Sequence, residues 1–112
     1  MDGIPSRPPT TRMGKTYTLK VEKITMQITA NRNAEGQIIE VFAKAVGGDG
    51  IQGHVDRVCT MASLAIQAGC PIIRIIQHLK GDQTHPRGFV GQPSSVYAAI
   101  AKVLEQEMEE AA

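Results

Sequence analysis

The apolar residues of this chain change their spacing once, and that change limits the fold more than any other feature. Before residue 47, apolar and polar residues alternate, which is typical of strands with one buried face. After residue 53, apolar residues recur every three or four positions, which is typical of amphipathic helices. The dividing segment, 47–53, holds four glycines. Strands followed by helices predict an α+β fold, with the helices on one face of an antiparallel sheet.

Three strands are predicted ahead of the glycines. The first starts at Lys15, the second follows within a few residues, and the third covers 37–45. Residues 31–36 favour positive φ and predict a hairpin turn. Because the connections are short, we expect a three-stranded antiparallel meander. The alternating apolar residues of the first two strands are Tyr17, Leu19, Val21, Ile24, Met26 and Ile28.

Three helices are predicted after the glycines. The first carries its apolar stripe from Val55 to Ile66 and stops at Gly69. Pro71 fits the first turn of a second helix, which is apolar around most of its circumference and is therefore expected in the core or in a subunit interface. Ser94 or Ser95 caps a third helix that runs to about Glu110.

Length and composition limit the possible functions. We expect an extended N-terminal segment over 1–14 and a single domain over 15–112. The net charge of +1 and the aromatic content of 4% argue against a nucleic-acid polymer as partner.

No membrane span or secretory signal is visible, and two cysteines form no disulfide framework, so we expect a cytoplasmic protein with buried thiols. The open sheet predicts a homo-oligomer.

The glycine segment is the first candidate site. The amides of Gly48, Gly50 and Gly53 precede a helix, whose N-terminus favours anions, so together they could hold a phosphate. The segment matches neither the Walker spacing nor the dinucleotide fingerprint. A plain connector between strand and helix explains it as well.

A cationic cluster is the second candidate site. Arg74 and His78 share one face of the second helix, Lys80 ends that helix, and Arg87 lies in the following loop. Arginine forks suit phosphate, and Phe89 could lie against a base or a ribose. The alternatives are that these cations only complement the helix dipole and that Phe89 packs in the core.

Neither metal binding nor catalysis has a recognisable pattern. The histidines and cysteines lack metal-ligand spacing, and no serine motif or carboxylate pair appears. Cys70, at a helix start, is the only candidate nucleophile. We expect no cofactor, no metal and no enzymatic activity.

The ordered motifs resemble the TSCPD domain, a small module found near the C-terminus of vitamin B12-dependent ribonucleotide reductases and also as stand-alone proteins. The similarity covers the chain from about Arg7 onward. The segments that carry it are GKT at 14–16, QITAN at 27–31, EVF at 40–42, SLAIQAG at 63–69, IIQHLKG at 75–81 and AIAK at 99–102.

The chain departs from this family where the family has its cysteines. Residues 94–98 read SSVYA in place of the Thr-Ser-Cys-Pro-Asp run, and residues 82–86 lack a further family cysteine. A thiol or metal role of those cysteines therefore does not transfer. The reductase association implied by the resemblance, together with the glycine segment and the cationic cluster, predicts a non-catalytic module that binds a nucleotide or another small phosphorylated molecule. By analogy of size with small phage proteins, a stand-alone copy could sequester a nucleotide signal as an oligomer. The alternative is a protein–protein adaptor on ribonucleotide reductase.

Overall fold

A computed structural model describes residues 12–48, 50–81 and 95–111. Within them the chain forms three strands and then three helices, which confirms the α+β class. The strands are β1 (Met13–Val21), β2 (Ile24–Arg32) and β3 (Ile38–Val46). The helices are α1 (Ile51–Gln67), α2 (Ile72–Lys80) and α3 (Val96–Ala111).

The strands pair as the predicted meander, in the order β1-β2-β3, with both pairs antiparallel. Alternation places Tyr17 opposite Ile28 and Ile28 opposite Ala43 on the face toward the helices. Thr16, Thr29 and Phe42 align in the same way on the open face. A bulge at Ile39 of β3, opposite the end of β2, lets both Ile38 and Ile39 become buried.

The helices cover one face of the sheet. α1 packs mainly on β3, α3 lies over β2 and β1, and α2 packs mainly on α3. Apolar side chains from all three layers meet in one core. Its largest fully buried aliphatic members are Met26, Ile28, Ile76, Ile100 and Leu104. None of the helices in the described ranges is long and apolar enough to cross a membrane.

Two helix ends follow the sequence predictions. Gly69 adopts φ 97° and donates its amide to the carbonyl of Ile66, so it ends α1 as a left-handed stop. Ser95 is the cap of α3, because its hydroxyl accepts the amide of Ala98 at 3.0 Å. The hairpin turn after β2 contains Gly36, at φ 80°.

The glycine segment is shorter than predicted. α1 begins at Ile51, so Ile51, Gln52 and Gly53 are helical and their assignment to a loop is wrong. Gly50 caps the helix in the left-handed conformation at φ 74°, while Ile51 packs against the core. Gln52 binds the main chain of β3. These tertiary contacts outweigh the low helix propensity of glycine.

Two further expectations, for α2 and for the thiols, are corrected in part. α2 does not lie deep in the core of the single chain, because it buries Ile75 and Ile76 but leaves Ile73 50% exposed. Its alternative place in a subunit interface stays a prediction. Nine residues present only one face to α3, so the other face stays at the surface. Cys59 is buried as expected, whereas Cys70 is partly exposed because it lies in the link between two diverging helices.

Candidate functional site

A groove of about 690 Å³ runs between α1 and α2. The two helices diverge because α1 packs on β3 while the turn at Gly69 directs α2 onto α3. The volume falls within the range of about 300–1,000 Å³ that is usual for small-molecule sites. The lining residues are Arg57, Val58, Met61, Ala62, Ala65, Cys70, Pro71, Arg74, Ile75, His78 and Leu79.

The walls of the groove are apolar. Val58, Met61, Ala62 and Ala65 recur at helical spacing on α1, so they form one stripe along it. Ala62 and Ile75 are buried and form the floor, whereas Met61 is 67% exposed at the rim. The groove therefore offers a flexible thioether and aliphatic carbons to the apolar part of a ligand.

The polar groups of the groove are cationic or neutral. The structure describes four arginines: Arg12 pairs with Glu40 at 2.8 Å, and Arg32 pairs with Glu107 at 2.9 Å. Arg57 and Arg74 both line the groove, and neither has an ion pair or hydrogen bond to another described residue. Since none of the lining residues in this part of the chain is acidic, the groove favours an anion.

The start of α2 adds to this positive potential. Cys70 and the N-cap residue Pro71 line the groove, and the first turn of α2 contains no acidic residue. Pro71 makes no side-chain cap, so the amides of this turn have no side-chain acceptor at the N-cap. Their partial positive charge lies at the same groove as the two arginines.

The cationic cluster predicted from the sequence is brought together only in part. Arg74 and His78, one helical turn apart, both line the groove. Lys80 does not line it; its ammonium pairs with Glu105 of α3 at 2.7 Å. Arg87 and Phe89 lie outside the described residues.

The predicted glycines lie before α1 and in its first turn. Gly48, Gly50 and Gly53 do not line the groove, and Gly50 is about 10 Å along the helix axis from Arg57 at 1.5 Å per residue. Gly53 is closer, since a Cβ there would lie 3.8 Å from Nη1 of Arg57. A Cβ on Gly48 would come within 2.9 Å of the Ile24 side chain, so the absence of a side chain there allows close packing. Among the described residues, the glycine segment and the cations of α2 therefore do not form one combined site.

Arg57 and Met61 were missed by the sequence reasoning. A signal was present: α1 carries apolar residues at 58, 62 and 65 in addition to its core stripe at 55, 59 and 62. A helix with two apolar stripes contacts something besides the sheet it packs on. The sequence does not indicate which helix lies across from the second stripe.

The two thiols differ in environment. Burial, together with the nearby Asp56 carboxylate, raises the pKa of the Cys59 thiol to about 12. Cys70 borders the groove and its Sγ lies 3.7 Å from the carbonyl of Pro71. Within the described ranges, no group of three or more histidine, cysteine or acidic residues could hold a metal ion.

Comparison with known proteins identifies the family. No curated protein and no solved structure matches the chain. The TSCPD domain family matches residues 3–108, nearly the whole chain. This match includes all three strands and all but the last residues of α3. The chain therefore belongs to the TSCPD domain family.

Proposed function

We propose that the groove between α1 and α2 binds a nucleotide or another small phosphorylated molecule without transforming it. One observation carries the proposal: the two described arginines without a carboxylate partner, Arg57 and Arg74, line the same apolar groove. Arginines that serve only stability are expected to resemble Arg12 and Arg32, which pair within the fold.

Each part of the groove has a role in this proposal. Arg57 and Arg74 donate fork-shaped hydrogen bonds to phosphate oxygens. His78, one turn after Arg74, supplies a further polar contact, and the start of α2 favours the same negative charge. Val58, Ala62 and Leu79 cover the apolar part of the ligand. A ligand that combines an anionic group with an apolar body fits better than a bare anion.

Binding without turnover suits sequestration. A protein that holds a phosphorylated signal lowers the free concentration of that signal in proportion to the number of sites. The groove suits this mode because it offers two arginines on largely apolar walls, which bind an anionic ligand. Recovery of an unchanged ligand after incubation distinguishes sequestration from hydrolysis.

Thermal unfolding against a ligand panel tests the proposal. The panel contains inorganic phosphate, nucleoside monophosphates, cyclic nucleotides and alkyl phosphates. A ligand that binds the native state raises the Tm by mass action. Arg57→Ala and Arg74→Ala should each weaken its binding by about 1.5–3 kcal/mol, the value of a hydrogen bond to a charged group.

Lys44→Ala is the matched control. Lys44 is exposed on the open face of the sheet, opposite Gln27, so its removal changes the net charge equally but leaves the groove intact. Its affinity should equal that of the wild type. Unchanged melting across the whole panel up to millimolar ligand would reject the proposal. If both arginine variants bind the ligand with the affinity of the wild type, the site lies elsewhere.

A protein–protein adaptor is the second candidate. Three large apolar side chains of α1 and α2 are exposed by about half or more: Met61 by 67%, Leu64 by 49% and Ile73 by 50%. Such a surface also suits a helix of a partner such as ribonucleotide reductase. Co-elution with the reductase, lost in Met61→Glu, together with an unresponsive ligand panel, would favour the adaptor.

A further inference from the structure

The outer edge of β3 is closed by three polar side chains of α1. Ser63 accepts the amide of Val41 at 3.0 Å and donates to its carbonyl at 3.1 Å. Gln52 accepts the amide of Ala45 at 2.8 Å and donates to the carbonyl of Ala43 at 3.0 Å. Gln67 donates to the carbonyl of Ile39 at 3.1 Å. These bonds occupy main-chain groups that an added strand would need, so β3 does not extend the sheet.

The same bonds establish which main-chain groups of β1 face away from the sheet. In an antiparallel ladder, each residue directs its amide and carbonyl to one side, and neighbours alternate. The main-chain groups of Val41 and Ala43 face away from β2, so those of Phe42 face β2 and bond with its partner Thr29. The main-chain groups of Ile28 then face β1 and bond with its partner Tyr17. The residues of β1 whose amides and carbonyls face outward are therefore Gly14, Thr16, Thr18 and Lys20.

This second edge has no such closure. Within the described residues, no side chain or main-chain group bonds the outward amides and carbonyls of β1. β1 has nine residues, contains neither proline nor bulge, and is about 30 Å long at about 3.4 Å per residue. A long, straight, unpaired edge is a template for another strand.

We propose that β1 pairs with β1 of a second copy of this chain, antiparallel about a two-fold axis at Tyr17, to give one six-stranded sheet. Only this register pairs all nine residues, Met13 with Val21 and Lys15 with Leu19. On the other face it sets Thr16 opposite Thr18 and Gly14 opposite Lys20. Each of these last two pairs exchanges two main-chain hydrogen bonds. Because the two-fold axis repeats each pair once, the two β1 strands share eight main-chain hydrogen bonds.

The charges of β1 fit a second copy in this register. Lysines on an edge strand usually prevent pairing, yet neither lysine of β1 meets a like charge here. The ammonium of Lys15 is held by Glu110 of its own chain, and Lys20 is opposite a glycine. Met13, 78% exposed in the single chain, gains an apolar neighbour in Val21 of the second copy.

Light scattering coupled to size exclusion tests the proposal. The wild type should elute as a dimer of about 24 kDa, twice the 12.1 kDa of the chain. Thr18→Pro removes an outward amide, and by symmetry it does so twice. Proline at such an edge position leaves the monomer's own ladder intact. The dimer dissociation constant should rise about 100-fold or more. Thr18→Val keeps the amide and should remain dimeric.

A pair of double variants tests the register and does not depend on proline. Thr16→Lys with Thr18→Lys places like charges opposite each other, whereas Thr16→Glu with Thr18→Lys places opposite charges there. Both lose the Thr16–Thr29 hydroxyl contact equally. The first should be monomeric and the second dimeric.

Three results would overturn the proposal: a wild type that stays monomeric into the millimolar range, a dimer indifferent to Thr18→Pro, or equal masses for the two double variants. The groove between α1 and α2 lies on the helices, away from β1, so ligand binding and dimer formation succeed or fail separately. Arg74→Ala should leave the mass unchanged.

Discussion

Arg32, at the end of β2, encloses one carboxylate oxygen of Glu107. Its Nη2 and Nε donate to Glu107 Oε1 at 2.9 and 3.2 Å, and Nη2 also donates to the main-chain carbonyl of Glu107 at 2.8 Å. The remaining nitrogen, Nη1, donates to the carbonyl of Gly36 in the hairpin turn. One guanidinium thus joins the last turns of α3 to the sheet.

Replacing Glu107 should destabilise the fold strongly. Its side chain is 1% exposed, so Glu107→Ala leaves the guanidinium of Arg32, whose side chain is only 20% exposed, without its counter-charge. We expect a loss of about 3–5 kcal/mol in the free energy of unfolding, measured by urea denaturation. Glu109→Ala, at an exposed position of the same helix, should change it by less than about 0.5 kcal/mol. Equal effects of the two variants would show that the pair adds no stability.

Alkaline pH should weaken the same region. Desolvation, with hydrogen bonds to Glu107 and Glu110, raises the pKa of Tyr17 above its ordinary value of 10.0. The native state therefore holds the phenol proton more tightly than the unfolded chain does. The resulting stability is complete below pH 10 and is lost as the pH rises beyond it. From about pH 9 to pH 11 the urea midpoint should fall less in Tyr17→Phe than in the wild type. Parallel slopes would contradict this assignment.

The architecture can be predicted from the sequence because it depends mainly on local sequence patterns. Alternation along β1 and β2, the left-handed stop at Gly69 and the cap at Ser95 each depend on residues within one element or turn. The start of α1 escapes these rules, since Gln52 is held in the helix by bonds to β3. No local pattern contains that information.

The site is predicted less completely for a similar reason. Spacing alone puts Arg74 and His78 on one face of α2. It does not reveal that Glu105 of α3 takes Lys80, because that pair joins residues 25 positions apart. Nor does it place Arg57 across from Arg74, which depends on the divergence of α1 from α2. Side chains that act within one helix are predictable, while those that meet between helices depend on packing.

The two thiols should react very differently. Burial raises the pKa of Cys59 to about 12, so at neutral pH almost no thiolate forms and the side chain is also enclosed. Cys70 is partly exposed in the groove. In the native protein a disulfide reagent should react rapidly with one thiol, and this rapid reaction should be absent in Cys70→Ser. Cys59 should react at least about 100-fold more slowly than Cys70. Both should react in urea. Rapid reaction of both in the native state would mean that α1 opens readily from the sheet.

Ser63 tests the closure of the β3 edge. The serine and Val41 are both buried, so Ser63→Ala leaves the amide and carbonyl of Val41 without a partner and out of reach of water. An unsatisfied buried polar group costs about 1–3 kcal/mol, and we expect a loss of that size in the free energy of unfolding. Thr60→Ala, exposed on the same helix, controls for the change in helix propensity. If the two variants unfold at the same urea concentration, the hydroxyl of Ser63 does not hold this edge, and only the bonds of Gln52 and Gln67 then distinguish β3 from β1.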